Sequence, residues 1–311
     1  MDRIRELSLK SYTEGTRSEQ VEFMSELMDG LQEHGFIILR DHPIKVELLH
    51  QAYALGARLF QLPEQTKLQY AHVEGGQRGY TPFGREHAKN SKHPDLKEFW
   101  HVGRDLPPTH RLKAFFPNNI WPSEIPEFEP VFRSLFRALD DTGRILLRAL
   151  TQPLAVEHDF FTRMTDMGSS ILRLLHYPPI PEHVDPGCVR AAAHEDINLI
   201  TLLVSASASG LELLDREGHW LPVEAAPDTL IVDSGDMLAR ITNDRIPATT
   251  HRVVNPKGLN VSRYSMPFFM HPNPDAVLAC LPSCRGGGAK YSNILANDFL
   301  MERLREIGLT Q

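Results

Sequence analysis

Two histidines and one carboxylate stand out for their types and spacing. His194-Glu195-Asp196 puts an imidazole and a carboxylate two residues apart, so on a β-strand both side chains share one face. His251 follows 55 residues after Asp196, within Thr249-Thr250-His251-Arg252. Two imidazoles and a carboxylate are the donor set of the facial triad that binds non-haem Fe(II). That chemistry needs a sparse set, because three protein ligands on one face of an octahedron leave three positions for a chelating co-substrate and dioxygen. An isolated H-x-D is a weak signal, and a distant histidine adds little in a chain with 15 of them. Arg263 and Ser265 strengthen it. They lie 12 and 14 residues after His251 in Val261-Ser262-Arg263-Tyr264-Ser265-Met266. A guanidinium fork beside a hydroxyl suits a terminal carboxylate, and an arginine in an otherwise apolar strand is expected to be buried against an anion.

These residues need a frame that brings distant strands together. From Ser169 onward the chain breaks into short segments rich in Ile, Leu, Val and Thr, separated by Gly and Pro turns. Eight strands are expected: 170–177, 189–193, 199–204, 211–214, 220–223, 229–232, 248–254 and 261–269. Eight short strands in about a hundred residues suggest a barrel or a double-sheet jelly roll. The first half reads as mostly helical. Ser18 is the expected N-cap of a helix whose apolar residues Val21, Met24, Leu27, Met28 and Leu31 recur at helical spacing, and Gly35 stops it. A short buried strand at 36–39, a helix from Val46 to before Pro63, irregular chain over 72–125 and a long helix over 127–150 follow. A last helix is expected over 293–307. The fold class is thus α+β with a mainly β core. Its regions are a mostly helical 1–165, a jelly roll over 166–275 and a C-terminal tail and helix over 276–311, with the first two sharing one core.

The chain has 311 residues, 40 Asp+Glu against 33 Lys+Arg, a net charge of −7 and 41% hydrophobic residues. The apolar fraction excludes a disordered chain. The mild acidity argues against coating nucleic acid or anionic membrane, which needs clustered positive charge. The longest aliphatic run, Leu199 to Val204, is too short to span a bilayer, and the N-terminus lacks the apolar stretch of a signal peptide. Cys188, Cys280 and Cys284 are an odd, small set that makes no disulfide scaffold and reads as reduced thiols. A cytoplasmic monomer is the expectation.

The full string of motifs resembles the isopenicillin N synthase-like branch of the Fe(II)/2-oxoglutarate-dependent oxygenases, in a bacterial-type form. Beyond His194-x-Asp196, His251 and Arg263-x-Ser265, several segments are similar to family segments in the same order. These are His34-Gly-Phe-Ile-Ile, Phe60-x-Leu-Pro-x-x-x-Lys67, Gly79-Tyr80, Asp95-Leu-Lys-Glu-Phe-Trp100, Asn119-Ile-Trp-Pro122, Leu172 to Pro179, Ala193 to Leu202, and Lys290-Tyr291. The resemblance implies a distorted double-stranded β-helix, a cupin-like jelly roll with flanking helices. It implies that His194, Asp196 and His251 bind Fe(II), and that Arg263 and Ser265 bind the distal carboxylate of 2-oxoglutarate, with Tyr177 also reaching it. Leu175 and His176 depart from the plant pattern of Asn and Tyr, which weighs against plant-type flavonoid or hormone chemistry. Halogenating relatives lack the carboxylate that Asp196 retains, so hydroxylation, desaturation or ring closure is implied. The implied reaction consumes O2 and 2-oxoglutarate and releases succinate and CO2.

Residues 78–113 hold eight Lys/Arg against four acids in an otherwise acidic chain. In similar proteins this stretch lies over the active-site mouth, which makes Arg85, His101 and Arg173 candidates for holding an anionic small molecule. Asn198 and Phe268 are further candidates for substrate contact, and Phe269 beside Phe268 could also line the pocket, although strand aromatics more often belong to the core. The segment is too short and mixed in sign for nucleic acid. Two other functions stay open on the sequence: an Fe(II) oxidase that does not use 2-oxoglutarate, and a non-catalytic metal- or ligand-binding jelly roll.

Overall fold

Thr16, rather than Ser18, opens the first long helix. The computed structural model describes residues 4–71, 77–86, 93–185 and 187–306. In it, β1 (Glu6–Ser8) and the short α1 (Leu9–Thr13) precede α2 (Arg17–His34). The Thr16 hydroxyl accepts from Glu19 N while the Glu19 carboxylate accepts from Thr16 N. That reciprocal capping box needs Glu at the third helical position, a partner that Ser18 lacks. Gly35 ends α2 with φ of 67°, as expected. A Cβ on it would lie 2.2 Å from Thr249 Oγ1. The glycine therefore lets the helix end pack two residues before His251.

β2 (Phe36–Arg40), α3 (Val46–Phe60) and α4 (Glu64–Leu68) follow. The expectation of irregular chain over 72–125 fails, because β3 (Gly79–Thr81) and β4 (Glu98–Gly103) lie there. β4 is buried along its whole length, so it shows no polar–apolar alternation. Its Glu98 is satisfied internally, by Lys67 at 2.6 Å and His176 Nδ1 at 2.7 Å, as a buried charge must be. Next come α5 (Phe128–Ala149) and α6 (Phe160–Thr165). All eight expected strands are present, with ends moved by at most three residues: β5 (Ile171–Tyr177), β6 (Ala191–His194), β7 (Ile200–Val204), β8 (Leu211–Leu214), β9 (Trp220–Pro222), β10 (Leu230–Ser234), β11 (His251–Val253) and β12 (Arg263–Met270). A short α7 (Asp236–Ile241) separates β10 from β11. The chain closes with β13 (Val277–Leu278), β14 (Ile294–Leu295) and α8 (Ala296–Glu306). Pairing of Ile294 and Leu295 with β13 delays this helix past the expected Asn293; Ile307 lies outside the described residues.

The larger sheet runs β1-β2-β10-β7-β12-β5-β4-β3 and the smaller one β6-β11-β8-β9. The larger sheet takes strands from both sides of residue 165, so the N-terminal region and the jelly roll share it. One face of that sheet packs under the helices, in a core that includes Leu27, Leu135, Phe132, Met266 and Phe268. The other face brings Phe36, Leu175 and Ile231 against Leu211, Leu213 and Val253 of the smaller sheet. This is a double-stranded β-helix with flanking helices. Among the described residues no helix is long and apolar enough to cross a membrane.

Candidate active site

Register brings the three metal-type residues together. His251 on β11 pairs directly with His194 on β6, and their ring centroids are 4.5 Å apart. Asp196 lies just past the end of β6, not on the strand as expected. The turn still aims it at the same spot, because Asp236 N donates to its backbone oxygen at 2.7 Å. Asp196 Oδ1 is 3.8 Å from His194 Nε2 and 3.8 Å from His251 Nε2. All three donor atoms fall within 4.8 Å of one another. Glu195, the intervening residue, stays out of this donor cluster and accepts from the Thr250 hydroxyl.

The hydrogen bonds set the imidazoles up as ligands. Nδ1 of His194 faces Ala192 O at 2.8 Å, and Nδ1 of His251 faces Thr249 O at 3.1 Å. A carbonyl only accepts, so Nδ1 carries the proton and Nε2 presents a lone pair. Burial, and then the neighbouring His251, lower the pKa of His194, which favours the neutral ligand form. Thr201 on β7 donates to Asp196 Oδ2 and accepts from Asn198 Nδ2 at 2.8 Å. Asp233 on β10 is buried beside Asp196, and burial followed by that neighbouring charge pushes its carboxyl well up.

A small cavity of about 60 Å³ runs from this triad to Arg263, Ser265 and Tyr177. Arg263 on β12 sits opposite Tyr177 on β5, with its guanidinium 5.1 Å from the tyrosine ring centroid. Its Nε donates to Ala208 O at 3.0 Å. Its Nη1 is buried with no partner among the described residues. An unmet buried cationic donor needs an anion, so the pocket fits a carboxylate.

On the other side of the triad lies a cavity of about 810 Å³. Its wall includes His101, Arg173, Asn198 and Phe269, but two sequence candidates are misplaced. Arg85 is exposed in a turn after Pro82 and off the cavity wall; its neighbour Glu86 is the residue that turns inward. Phe268 is fully buried under the helices, edge-on to Phe136 at 5.1 Å. Strand alternation puts Phe269, with Arg263 and Ser265, on the site side instead. Asn198 lines the cavity but spends its amide on Thr201. His87, Lys89 and Lys92 of the basic segment lie outside the described residues.

Among the described residues the wall is not basic: seven carboxylate residues and four cationic ones line it, and those cations are engaged. Arg173 donates to Glu86 at 3.1 Å and to His101 Nε2 at 2.6 Å. Lys97 holds Glu86 and Asp95 at 2.6 and 2.7 Å. Arg240 donates to Ser292 O, and Arg303 pairs with Asp236 and Glu306. The expected clamp for an anionic substrate is therefore not formed: the carboxylates that fold inward neutralise it.

Comparison with known proteins decides the family. Residues 6–124 match the non-haem dioxygenase in morphine synthesis N-terminal model, and residues 168–272 match the 2OG-Fe(II) oxygenase superfamily model. The 2-oxoglutarate-Fe(II) type oxidoreductase hxnY of Emericella nidulans is 32% identical over 295 residues, 90% of this chain and 83% of the relative. This chain is a 2OG-Fe(II) oxygenase. A family protein from Caulobacter crescentus has a similar crystal structure, with TM-score 0.89 and 44% identity, covering 99% of this chain and all of the other. A full-length Neurospora crassa protein solved in complex with alpha-KG and thymine has TM-score 0.87 and 30% identity, covering 97% and 96%. The oxygenase works with Fe(II), 2-oxoglutarate and O2, as the resemblance implied.

Three side chains of this oxygenase escape sequence reasoning. Thr201 is the lone hydroxyl in an aliphatic run, a signal that was present. Asp233 carries no local signal, because nothing in the chain tells which face of its strand looks inward, whereas His271, just past β12, lies an even number of residues from Arg263.

Proposed function

We propose that His194, Asp196 and His251 hold the Fe(II), that Arg263, Ser265 and Tyr177 hold 2-oxoglutarate, and that the oxygenase hydroxylates a small neutral or zwitterionic molecule in the 810 Å³ cavity. One observation carries the reading. The three donor atoms converge between two cavities, one ending at the unmet Arg263 donor and the other able to admit a substrate. Iron with 2-oxoglutarate supplies the oxidising power when bound, O2 taking 2-oxoglutarate to succinate and CO2 and giving its second oxygen atom to a substrate C–H bond.

The chain's own residues position and shield. Bare Nε2 atoms on His194 and His251 suit a divalent metal, and the hydrogen bond from Thr201 leaves Oδ1 of Asp196 as the ligating atom. Arg263 and Ser265 sit on the same face of β12 and fix the distal carboxylate, which sets how far the keto acid reaches toward the triad. Retention of Asp196 supports hydroxylation over halogenation. The engaged cations support an uncharged or zwitterionic substrate, as does the thymine bound by the Neurospora crassa relative. The three cysteines are free thiols, which suits the cytoplasm.

Anaerobic titration of the metal-free chain with Fe(II) and then 2-oxoglutarate tests the reading. A weak visible metal-to-ligand band is expected, and its loss in His251→Ala and Arg263→Ala. Fe(II) binding without a band would shift the reading to an oxidase that does not use 2-oxoglutarate.

A further inference from the structure

We infer that His271 is a substrate-binding residue whose Nε2 accepts a hydrogen bond from an N–H or O–H of the substrate, so that the oxygenase selects donor-bearing molecules. The inference rests on the reading of the 810 Å³ cavity as the substrate site. His271 lines that cavity. It stands two residues after Phe269 and eight after Arg263, on the same side of the β12 chain path. One strand therefore carries the co-substrate clamp at one end and this imidazole just past the other. The backbone there is held, with His271 N donating to Ser170 Oγ at 3.2 Å and Ser169 N to Pro272 O at 3.2 Å.

The ring's chemistry follows from its partners. Nδ1 faces Phe269 O at 3.2 Å, and since a carbonyl only accepts, the proton sits on Nδ1. Nε2 then presents a lone pair. It is buried and has no partner among the described residues, the same condition as Nη1 of Arg263. Burial holds the imidazole pKa down to about 4, so the ring stays neutral and cannot donate from Nε2. A buried acceptor left unmet is costly, and an incoming donor recovers that cost. His101 on the same wall differs, since its Nε2 already accepts from Arg173. Asn198 Oδ1 is a second acceptor of this wall that is buried without a partner among the described residues. The unmet wall donors are Nε of Arg240 and of Arg303, on guanidiniums already held by Ser292 O and by Asp236 and Glu306. A substrate offering only acceptors would find His271 unsatisfied and would lose to one offering a donor.

Nitrogen-15 NMR of the His271 ring in the zinc-loaded, 2-oxoglutarate-bound chain tests this, with the signal assigned by its loss in His271→Gln. At neutral pH the bare-nitrogen shift is expected for Nε2 and the protonated shift for Nδ1. The probes are matched pairs, uracil against 1,3-dimethyluracil and succinimide against N-methylsuccinimide. The N–H members should move the Nε2 signal and bind about tenfold more tightly than their methylated partners, the worth of one hydrogen bond. A proton on Nε2, or equal binding within the pairs, overturns the inference. The Fe(II)–2-oxoglutarate band separates the two readings. If the band forms and His271 behaves otherwise, only this inference falls; if the band never forms, the site assignment falls first.

Discussion

Thr201 donates its hydroxyl hydrogen to Oδ2 of Asp196, while Oδ1 of the same carboxylate faces His194 and His251 at 3.8 Å. The two oxygens are thus given different tasks by a residue that touches no metal. Asn198 fixes Thr201 in turn, because its amide donates to Oγ1 at 2.8 Å. Thr201→Val keeps the shape and removes the donor. Its Fe(II) dissociation constant should rise about tenfold, the lower end for loss of a group orienting a metal ligand, with Thr201→Ser close to wild type. Anaerobic Fe(II) titration measures both, and an unchanged affinity in Thr201→Val would show that the turn alone holds Asp196.

Arg263 has the opposite problem, a buried cation with one donor unmet. Replacing it with Met removes a charge that the empty pocket leaves unpaired, so the metal-loaded chain without 2-oxoglutarate should melt no lower than wild type. The affinity for 2-oxoglutarate should fall about 100-fold, the worth of a paired, charge-assisted contact. In thermal melts, 2-oxoglutarate should raise the midpoint of wild type and barely move that of Arg263→Met. An equal shift in both would place the distal carboxylate elsewhere.

Much of this was readable from the chain, and strand parity explains what was not. β8 alternates, and β5, β7, β10 and β12 show as short runs rich in Ile, Leu, Val and Phe between turns, the mark of strands covered on both faces, so all five are found in the sequence to within a few residues. β4 is buried on both faces and carries Glu98, Trp100 and His101 inside, so no period marks it. The triad was legible only with Arg263-x-Ser265 and the ordered string of family motifs beside it, and its geometry comes from the β6–β11 pairing, which no local pattern announces. The errors at Phe268 and Arg85 are both off by one. Phe269, not Phe268, is an even number of residues from Arg263, and in the turn before β4 it is Glu86 that faces inward. Extending the Arg263–Ser265 face along the strand selects Phe269 over Phe268 and adds His271.

That parity makes a sharp contrast testable. Phe268 is fully buried between Phe136 and the rest of the helix-side core, so Phe268→Ala should cost about 3–5 kcal/mol in urea unfolding. Phe269 is half-buried against the Arg173 guanidinium, 5.2 Å from its ring centroid. Phe269→Ala should cost less than half as much stability and instead raise the substrate KM in succinate-release assays. Similar stability losses in the two variants would contradict the assignment of faces.

Glu86 and Lys97 are both about 7% exposed and 2.6 Å apart, with Arg173 and Asp95 completing the cluster. Burial alone would raise the Glu86 pKa, but Arg173 and Lys97 outweigh it and hold the carboxyl far below the usual range. Burial alone would lower Lys97, but Glu86 and Asp95 outweigh it and hold the ammonium above its usual value. A depressed carboxylate stabilises the fold fully above its unfolded pKa of about 4.3, and loses that contribution as pH falls toward the folded value. A raised lysine stabilises fully below about 10.4 and loses it as pH rises toward the folded value. The cluster's contribution is therefore flat between about pH 5 and 10. Glu86→Gln breaks a buried pair and leaves Arg173 without its carboxylate, so it should cost about 3 kcal/mol in urea unfolding near pH 7. The deficit relative to wild type should shrink below about pH 4, because wild type then loses the same contribution. A deficit that stays constant down to that pH would mean that packing of the side chain, rather than its charge, is what the substitution removes.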